Sequence, residues 1–313
     1  MRRVLFHRQY LGYSGGHGKV RDYAAHVDAC PGFEAWTWLT PDSDPLDNPW
    51  AQGGFRLADA WRPDEADVLF LGGLDWEAVP RDLPGRPVLN LVQHLRHADA
   101  GDPRRAFLRR PAVRICVSQP VAEAILATGE VNGPVHVIPA ALDLPPLPAR
   151  TPQAGAPPRI AITGGKAPEL AQAVAAQLAA DAAALDVLPA GLGRTEFLAR
   201  LAAADIAVLL PHEREGFYLP GLEAMALGCA VVMPDAGGNR EYARAGLNAS
   251  IPARAPEAIA AAVRGLLSEG ARAPRVSAGL ATAAGYTLAR ERAAFHALLG
   301  RLDQEWAACR HAC

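Results

Sequence analysis

The sequence predicts an α/β fold made of two doubly wound parallel-sheet domains, the second of them small. Three observations predict it. Short unbroken apolar runs, such as 206–210 and 230–233, recur along the chain, as strands buried on both faces of a parallel sheet require. Helical segments alternate with these runs, which is the pattern of crossover connections. A proline-rich stretch, LPPLPARTPQAGAPP at 144–158, interrupts the alternation and reads as an extended, semi-rigid linker. The expected organisation is a first domain over 1–143, the linker over 144–158, a second domain over 159–285, and a terminal helix over 286–313 that crosses back to the first domain.

In the first domain, strands are expected over 4–7, 33–39, 67–71, 87–92, 112–117 and 135–138. The segment GYSGGHGK at 12–19 follows the first strand and precedes a helix over 20–27. A glycine-rich loop in that place is either a cradle for phosphate or sugar or a plain tight turn. Its spacing fits neither the dinucleotide fingerprint nor the phosphate-binding loop that ends in Gly-Lys-Ser/Thr. Residues 40–65 read as irregular, and Trp50 and Trp61 within them suit core packing better than an acceptor site. The 87–92 strand delivers Gln93, His94, Arg96 and His97 to its carboxyl end. Arg96, Arg104, Arg105, Arg109, Arg110 and Arg114 then form either a solvated helix face or a patch for an anionic acceptor or a membrane surface.

In the second domain a strand over 159–162 leads into Thr163, Gly164, Gly165 and Lys166, and then a helix over 168–184. Lys166, with backbone N–H groups at a helix start, suits a diphosphate. A short strand near 186–188 and a helix over 196–204 follow. The 206–210 strand runs into a loop carrying Glu213, Arg214, Glu215 and Gly216. Pro220 fits the first turn of the next helix, where its missing N–H costs little. That helix stops near Gly228, and the 230–233 strand leads to Gly237 and Gly238. Ligands of such units sit beyond the carboxyl ends of the strands. Glu223, early in its helix, is placed to accept two hydrogen bonds from a vicinal diol such as a ribose. Gly216, Gly237 and Gly238 let backbone N–H groups approach an anion. Helices over 256–267 and 288–309 close the chain.

The run EGFYLPGLEAMALGCAVV, with Glu215 and Glu223 separated by seven residues, followed by GGNRE, resembles the signature of the retaining glycosyltransferases of family 4, also called group 1. NLVQH, ICVSQPVAEAI and VIPAALD resemble further landmarks of that family, although Ala140 and Ala141 replace its Asn-Gly. The resemblance implies a GT-B fold, two Rossmann-like domains facing each other across a cleft. It implies transfer of a sugar from a nucleotide-diphospho-sugar to a hydroxyl, with retention, without a bound metal and without a cofactor. It implies that Glu223 holds the ribose and that Lys166 offsets diphosphate charge. Glu215, with the backbone of Gly216 and Phe217, faces the transferred sugar, and His94 contacts its hydroxyls. Gly15 and Gly16 approach the phosphates. Gly164, Gly165, Arg214 and Leu219 complete the donor-binding positions. Gly165 stands near the place of the family's usual Arg, and Arg214, Arg240 and Arg194 are the candidates to replace it. The alternatives are a non-catalytic GT-B binding protein, which these departures motivate, and a GT-B nucleotide-sugar epimerase.

The totals narrow the field. A net charge of −2 over 313 residues argues against nucleic acid as the main partner. Five scattered cysteines show no metal-ligand spacing and read as free thiols of a reducing compartment. MRRVLFHRQY holds too short an apolar run for a signal peptide, and no stretch approaches a membrane span, so a cytoplasmic protein is expected. The expected acceptor is a glycan, a lipid-linked sugar or a small metabolite, with peripheral membrane contact tied to the arginine cluster.

Overall fold

The computed structural model describes residues 1–12, 14–46, 48–51, 53–81, 85–145, 157–181 and 184–309. Most of the expected linker, 146–156, lies outside these residues. The chain forms two compact units, Met1–Ala140 with Leu288–Cys313, and Ala141–Thr287. Each carries one wholly parallel sheet, so the fold is α/β and doubly wound in both halves.

The first unit orders its seven strands β3-β2-β1-β4-β5-β6-β7. They are β1 (Arg2–Arg8), β2 (Phe33–Leu39), β3 (Arg56–Leu57), β4 (Val68–Gly72), β5 (Val88–Val92), β6 (Val113–Cys116) and β7 (Val135–Val137). β4, β5 and β6 are buried at every residue; β4 accordingly reads as a continuous apolar run, whereas β5 and β6 each bury one polar residue, Asn90 and Arg114. β1 lies between β2 and β4, with Val4 opposite Ala35 and Val68. Phe6 stacks on Phe70 at 4.5 Å, and Tyr23 and Phe295 extend that aromatic core.

Helix α1 (Gly15–Asp28) starts five residues earlier than the 20–27 expected. Ser14 caps it by accepting the His17 N–H at 3.2 Å, so Gly15, Gly16 and Gly18 sit in its first turn. Of the four glycines in that segment only Gly12 takes a positive φ, 116°. The glycine-rich stretch is therefore a turn at Gly12 followed by a capped helix start.

The arginine cluster is divided: Arg96 and Arg109 are exposed, Arg104, Arg105 and Arg110 are half-buried, and Arg114 is buried. Arg114 is fully buried, and its Nη1 and Nη2 donate to the carbonyls of Ala112, Asn132, Phe107, Leu108 and Arg110. Arg110 donates to the carbonyls of Trp76, Val79 and Pro80 and lies 4.7 Å over the Trp76 ring. Arg104 pairs with Asp102, and Arg105 and Arg109 pair with Glu130. Five of the six guanidinium groups thus have partners within the first unit. Trp50 is buried against Tyr10 and His17, and Trp61 donates to the Ala78 carbonyl, so both pack as core residues.

Helix α2 (Gln119–Leu126) is capped by Ser118. The second unit orders its strands β12-β11-β10-β8-β9. They are β8 (Arg159–Thr163), β9 (Ala184–Leu188), β10 (Ile206–Val208), β11 (Ala230–Val232) and β12 (Ala249–Ser250). Helices α3 (Pro168–Leu178), α4 (Arg194–Ala202), α5 (Leu219–Ala226), α6 (Pro256–Arg264) and α7 (Glu269–Ala283) cover them. Ile160, Ile162, Val208 and Val232 of the sheet meet Val174, Leu178, Ile259 and Val263 of α3 and α6 in one core. Helix α3 ends at Leu178 rather than near 184, because β9 already begins at Ala184.

The terminal helix expected over 288–309 is two helices, α8 (Leu288–Leu299) and α9 (Leu302–Ala307), parted at Gly300. Both belong to the first unit. There α8 brings Glu291 to Lys19 (2.9 and 3.0 Å) and to His26 (3.0 Å) of α1, in a cluster buried on every side. No helix among the described residues is long and apolar enough to cross a membrane. The four described cysteines are free.

Candidate functional site

In the second unit, β8 and β10 are neighbours and end side by side, which brings the loops after them together. Thr163 ties the ends further, its Oγ1 accepting the Leu210 N–H at 3.0 Å. The loop after β8 carries Gly164, Gly165 and Lys166. A Cβ on Gly164 would come within 3.3 Å of both Ala171 Cβ and the Leu188 carbonyl, so this glycine lets α3 close onto the sheet. Lys166 then reaches Glu215, with Nζ 2.5 Å from Oε1. The same carboxylate oxygen accepts the His212 N–H at 3.0 Å. The Lys166 side chain is half exposed whereas that of Glu215 is buried, so the cation is the partner that a solvent-borne anion meets first.

Glu215 is fixed by its own backbone as well. Its N–H donates to Ala236 O at 2.9 Å, and its carbonyl accepts from Gly238 N at 3.0 Å, pairing the 215 loop with the 237 loop. A Cβ on Gly238 would overlap the Gly216 carbonyl and come within 2.5 Å of Glu215 O. This close approach corrects the sequence reading of the downstream glycines. The Gly238 N–H is bonded to Glu215 and Ala236, and the Gly237 N–H donates to Asp235 at 3.1 Å, so neither is held out toward an anion. Asp235 also engages the Arg240 guanidinium on two nitrogens.

After Gly216 the chain turns inward. Phe217 is buried against Tyr242 (5.3 Å) and Tyr286 (5.7 Å), so only its backbone can serve a ligand. Tyr218 has φ = 65°, the sole positive φ at a non-glycine among the described residues. Holding a tyrosine in the left-handed region costs about 1–2 kcal/mol. The opposing restraint is Tyr242, whose hydroxyl donates to Tyr218 O at 2.7 Å. Gly221 makes room for that hydroxyl. The left-handed residue starts α5, with Leu219 and Pro220 in its first turn.

Helix α5 presents Glu223, 2% exposed. Its Oε1 lies 2.7 Å from Arg194 Nη1 yet receives no aligned hydrogen bond. Burial pushes the Glu223 carboxyl up from the usual carboxylate range, and the Arg194 charge pulls it partly back. The Tyr218 phenol is raised mainly by burial, with smaller upward effects of the Glu215 and Glu223 charges. Lys166 Nζ sits 5.5 Å from the centre of that ring.

The structure thus gathers Lys166, Glu215, Gly216, Phe217 and Leu219 around the turn into α5, with Glu223 one turn further along. A Cβ on Gly165 would lie 3.4 Å from Ala190 Cα, an ordinary contact distance. Arg214 is exposed, its backbone N–H donating to His212 Nδ1 at 3.3 Å. Arg194, weighed from sequence only as a diphosphate ligand, instead faces Glu223 and donates to Asp143 O at 2.9 Å. One signal marked it. A cation at the first position of a helix opposes the helix dipole and calls for a partner. Tyr218 and Tyr242 carried no such signal.

The other sequence-predicted residues lie in the first unit. Gly15 and Gly16 open α1, and the Gly16 carbonyl accepts from Gln93 Nε2 at 3.4 Å. His94 follows β5, partly exposed, and its carbonyl accepts from His97 Nδ1 at 2.9 Å. Burial lowers His97 to about 4, so it is a neutral structural histidine. Beside them is a buried group that the sequence did not disclose. Asp75 accepts from Gly72 N (2.7 Å) and from Arg8, and faces His7.

Residues 144–269 match the family model described as glycosyl transferases group 1. No curated protein matches the sequence. Among solved structures, Anabaena HepE in complex with UDP and glucose is 16% identical, covering 96% of this chain and 100% of its own, with a TM-score of 0.70. Sucrose-phosphate synthase from Thermosynechococcus elongatus is 13% identical, with coverage of 97% and 100% and a TM-score of 0.72. A glycosyltransferase from Rickettsia africae is 10% identical, with coverage of 97% and 99% and a TM-score of 0.73.

Proposed function

We propose that this chain, which carries a group 1 glycosyltransferase domain and the GT-B fold, transfers a sugar from a nucleoside-diphosphate donor to a hydroxyl acceptor with retention at the anomeric carbon. The observation that carries the reading is Glu223, a buried carboxylate whose Oε1 lacks an aligned donor. A buried acceptor short of hydrogen bonds is stabilised by any ligand that supplies O–H groups in the right place, and a ribose diol supplies two. The UDP and UDP-glucose held by HepE are ligands of this class and support the reading.

Lys166 is the cation assigned to the departing diphosphate. Its half-exposed ammonium can exchange Glu215 for a phosphate oxygen, placing positive charge where negative charge develops. Glu215 and the backbone of Gly216 and Phe217 are assigned to the transferred sugar, Leu219 and Arg214 to the donor rim, and Gly164 and Gly165 to the loop that carries Lys166. Gly15, Gly16 and His94 keep the phosphate and sugar roles that the family resemblance implies. The leaving phosphate would take the acceptor proton, so no side chain is assigned as general base, and no metal is assigned.

The test is a thermal-shift screen of UDP, GDP, ADP and dTDP, followed by release of nucleotide from the matching sugar donors. At least one nucleotide raises the midpoint by mass action, and Glu223→Gln abolishes the rise. Turnover that survives Glu223→Gln unchanged, or a wild type that binds and turns over none of the four, refutes the proposal. Binding without turnover would favour a non-catalytic nucleotide-binding protein.

A further inference from the structure

We infer that Arg194 is a positioning residue for the donor site: it holds the Glu223 carboxylate ionised and oriented so that both of its oxygens can accept from the nucleotide ribose. The inference rests on the ribose role proposed for Glu223 and adds to it the group that makes that role workable.

The geometry carries the argument. Arg194 is anchored at both ends. Its backbone is the first residue of α4, and its Nη2 donates to Asp143 O at 2.9 Å. That leaves Nη1 directed at Glu223 Oε1, 2.7 Å away. The approach brings a full positive charge within 2.7 Å of an oxygen that still has a second lone pair for a ligand. A neutral carboxylic acid would spoil the site, because its own O–H replaces one of the acceptor oxygens a diol needs. Glu223 is 2% exposed, and burial alone drives a carboxyl toward that neutral form.

No other charge does this work. α7, packed against α5, contributes Arg272 and Arg275, which are engaged by the carbonyls of Leu266, Leu267 and Ala271, and Glu269, which is exposed in its first turn. α4 adds Glu196 and Arg200, and Arg200 is held by Asp186 and Glu196. β11 carries no ionisable residue. The phenols of Tyr218 and Tyr242 are pushed up mainly by burial and, in smaller part, by the Glu223 charge, so they are neutral neighbours. Arg194 alone sets the balance at this carboxylate.

The sign follows. Removing Arg194 takes away the effect that lowers the Glu223 pKa and leaves the burial that raises it. At a pH below that raised pKa the carboxyl binds a proton and loses the diol. At a pH above it, the carboxylate returns and binding recovers.

The experiment measures dissociation constants by calorimetry from pH 6 to 9 for whichever of UDP, GDP or ADP binds the wild type most tightly. Arg194→Ala should weaken binding by about tenfold or more at pH 6 for each unit of pKa it releases, and the gap should close toward pH 9. Arg194→Lys should restore most of the affinity at low pH. The 2′-deoxy form of the same nucleotide, which lacks the diol, should bind wild type and Arg194→Ala alike. A loss in Arg194→Ala of equal size at every pH, or of equal size for the 2′-deoxy ligand, overturns the inference while leaving the ribose role of Glu223 standing. A wild type indifferent to Glu223→Gln overturns the ribose role itself, and this inference with it.

Discussion

The carbonyl of the left-handed Tyr218 that starts α5 accepts the Tyr242 hydroxyl, and that arrangement sets up a double substitution with a worked outcome. A Cβ on Gly221 would overlap Tyr242 Oη outright, and would lie 2.9 Å from Met233 Sδ and 3.2 Å from Tyr242 Cζ. In Gly221→Ala the helix gains about 1 kcal/mol of propensity. Against this stand about 2 kcal/mol of overpacking and about 1 kcal/mol for the displaced hydrogen bond. The net loss is about 2 kcal/mol. Tyr242→Phe alone costs about 1 kcal/mol, since Tyr218 O keeps the Gly221 N–H at 3.2 Å. In the double variant the overlapping oxygen is gone, and what remains is the flexible thioether of Met233. Its loss should be about 1 kcal/mol or less, so the two substitutions couple by about 2 kcal/mol. All six tryptophans, Trp36, Trp38, Trp50, Trp61, Trp76 and Trp306, lie in the first unit. Urea unfolding must therefore be followed by far-UV circular dichroism, with tryptophan fluorescence as the internal control that should not move. If the two losses add to within about 0.5 kcal/mol, the steric account of Gly221 and Tyr242 is wrong.

Three further outcomes are expected. Lys166→Ala should lower the turnover number by about a hundredfold, because a charge acting on the leaving group matters most in the transition state; steady-state kinetics with the nucleotide sugar found above would expose a mere KM effect. Arg114→Met leaves five carbonyls short of their buried donor and should destabilise the first unit by at least about 3 kcal/mol, read from tryptophan fluorescence in urea. His97 sits at about 4 in the folded protein against 6.5 unfolded, so the unfolded chain binds its proton first as the pH falls. Its contribution is intact above pH 6.5 and about 3 kcal/mol is lost between 6.5 and 4, a slope that His97→Asn should flatten in denaturant titrations across that range.

The legibility of this chain divides by the range of the forces involved. Buried parallel strands such as β4 and β10 announce themselves as apolar runs, since both faces are covered and each residue testifies alone. The run from Glu215 to Gly238 was readable for the same local reason: acids, prolines and glycines crowd the end of a strand. Helix α7 was not readable, because Pro274 and a diffuse Ala-Gly pattern give no helical stripe, and only packing on α5 makes it a helix. Arg110 and Arg114 were misread because a guanidinium donating to carbonyls looks identical in sequence to one facing water. Arg194 and Glu223 stand 29 positions apart on different helices, and nothing local joins them.

The Lys19–His26–Glu291 cluster has a consequence for biosynthesis. Synthesis proceeds from the amino terminus, so α1 emerges carrying an ammonium, an imidazole and an aromatic face whose counterparts, Glu291 and Phe295, are the better part of three hundred codons away. The whole of Ala141–Thr287 is made in between as one continuous length. Its domain can settle while still tethered to the ribosome, whereas the earlier-made domain must wait for the last peptide bonds before it can shut. A premature stop after Thr287 would consequently damage the half of the protein that was translated first.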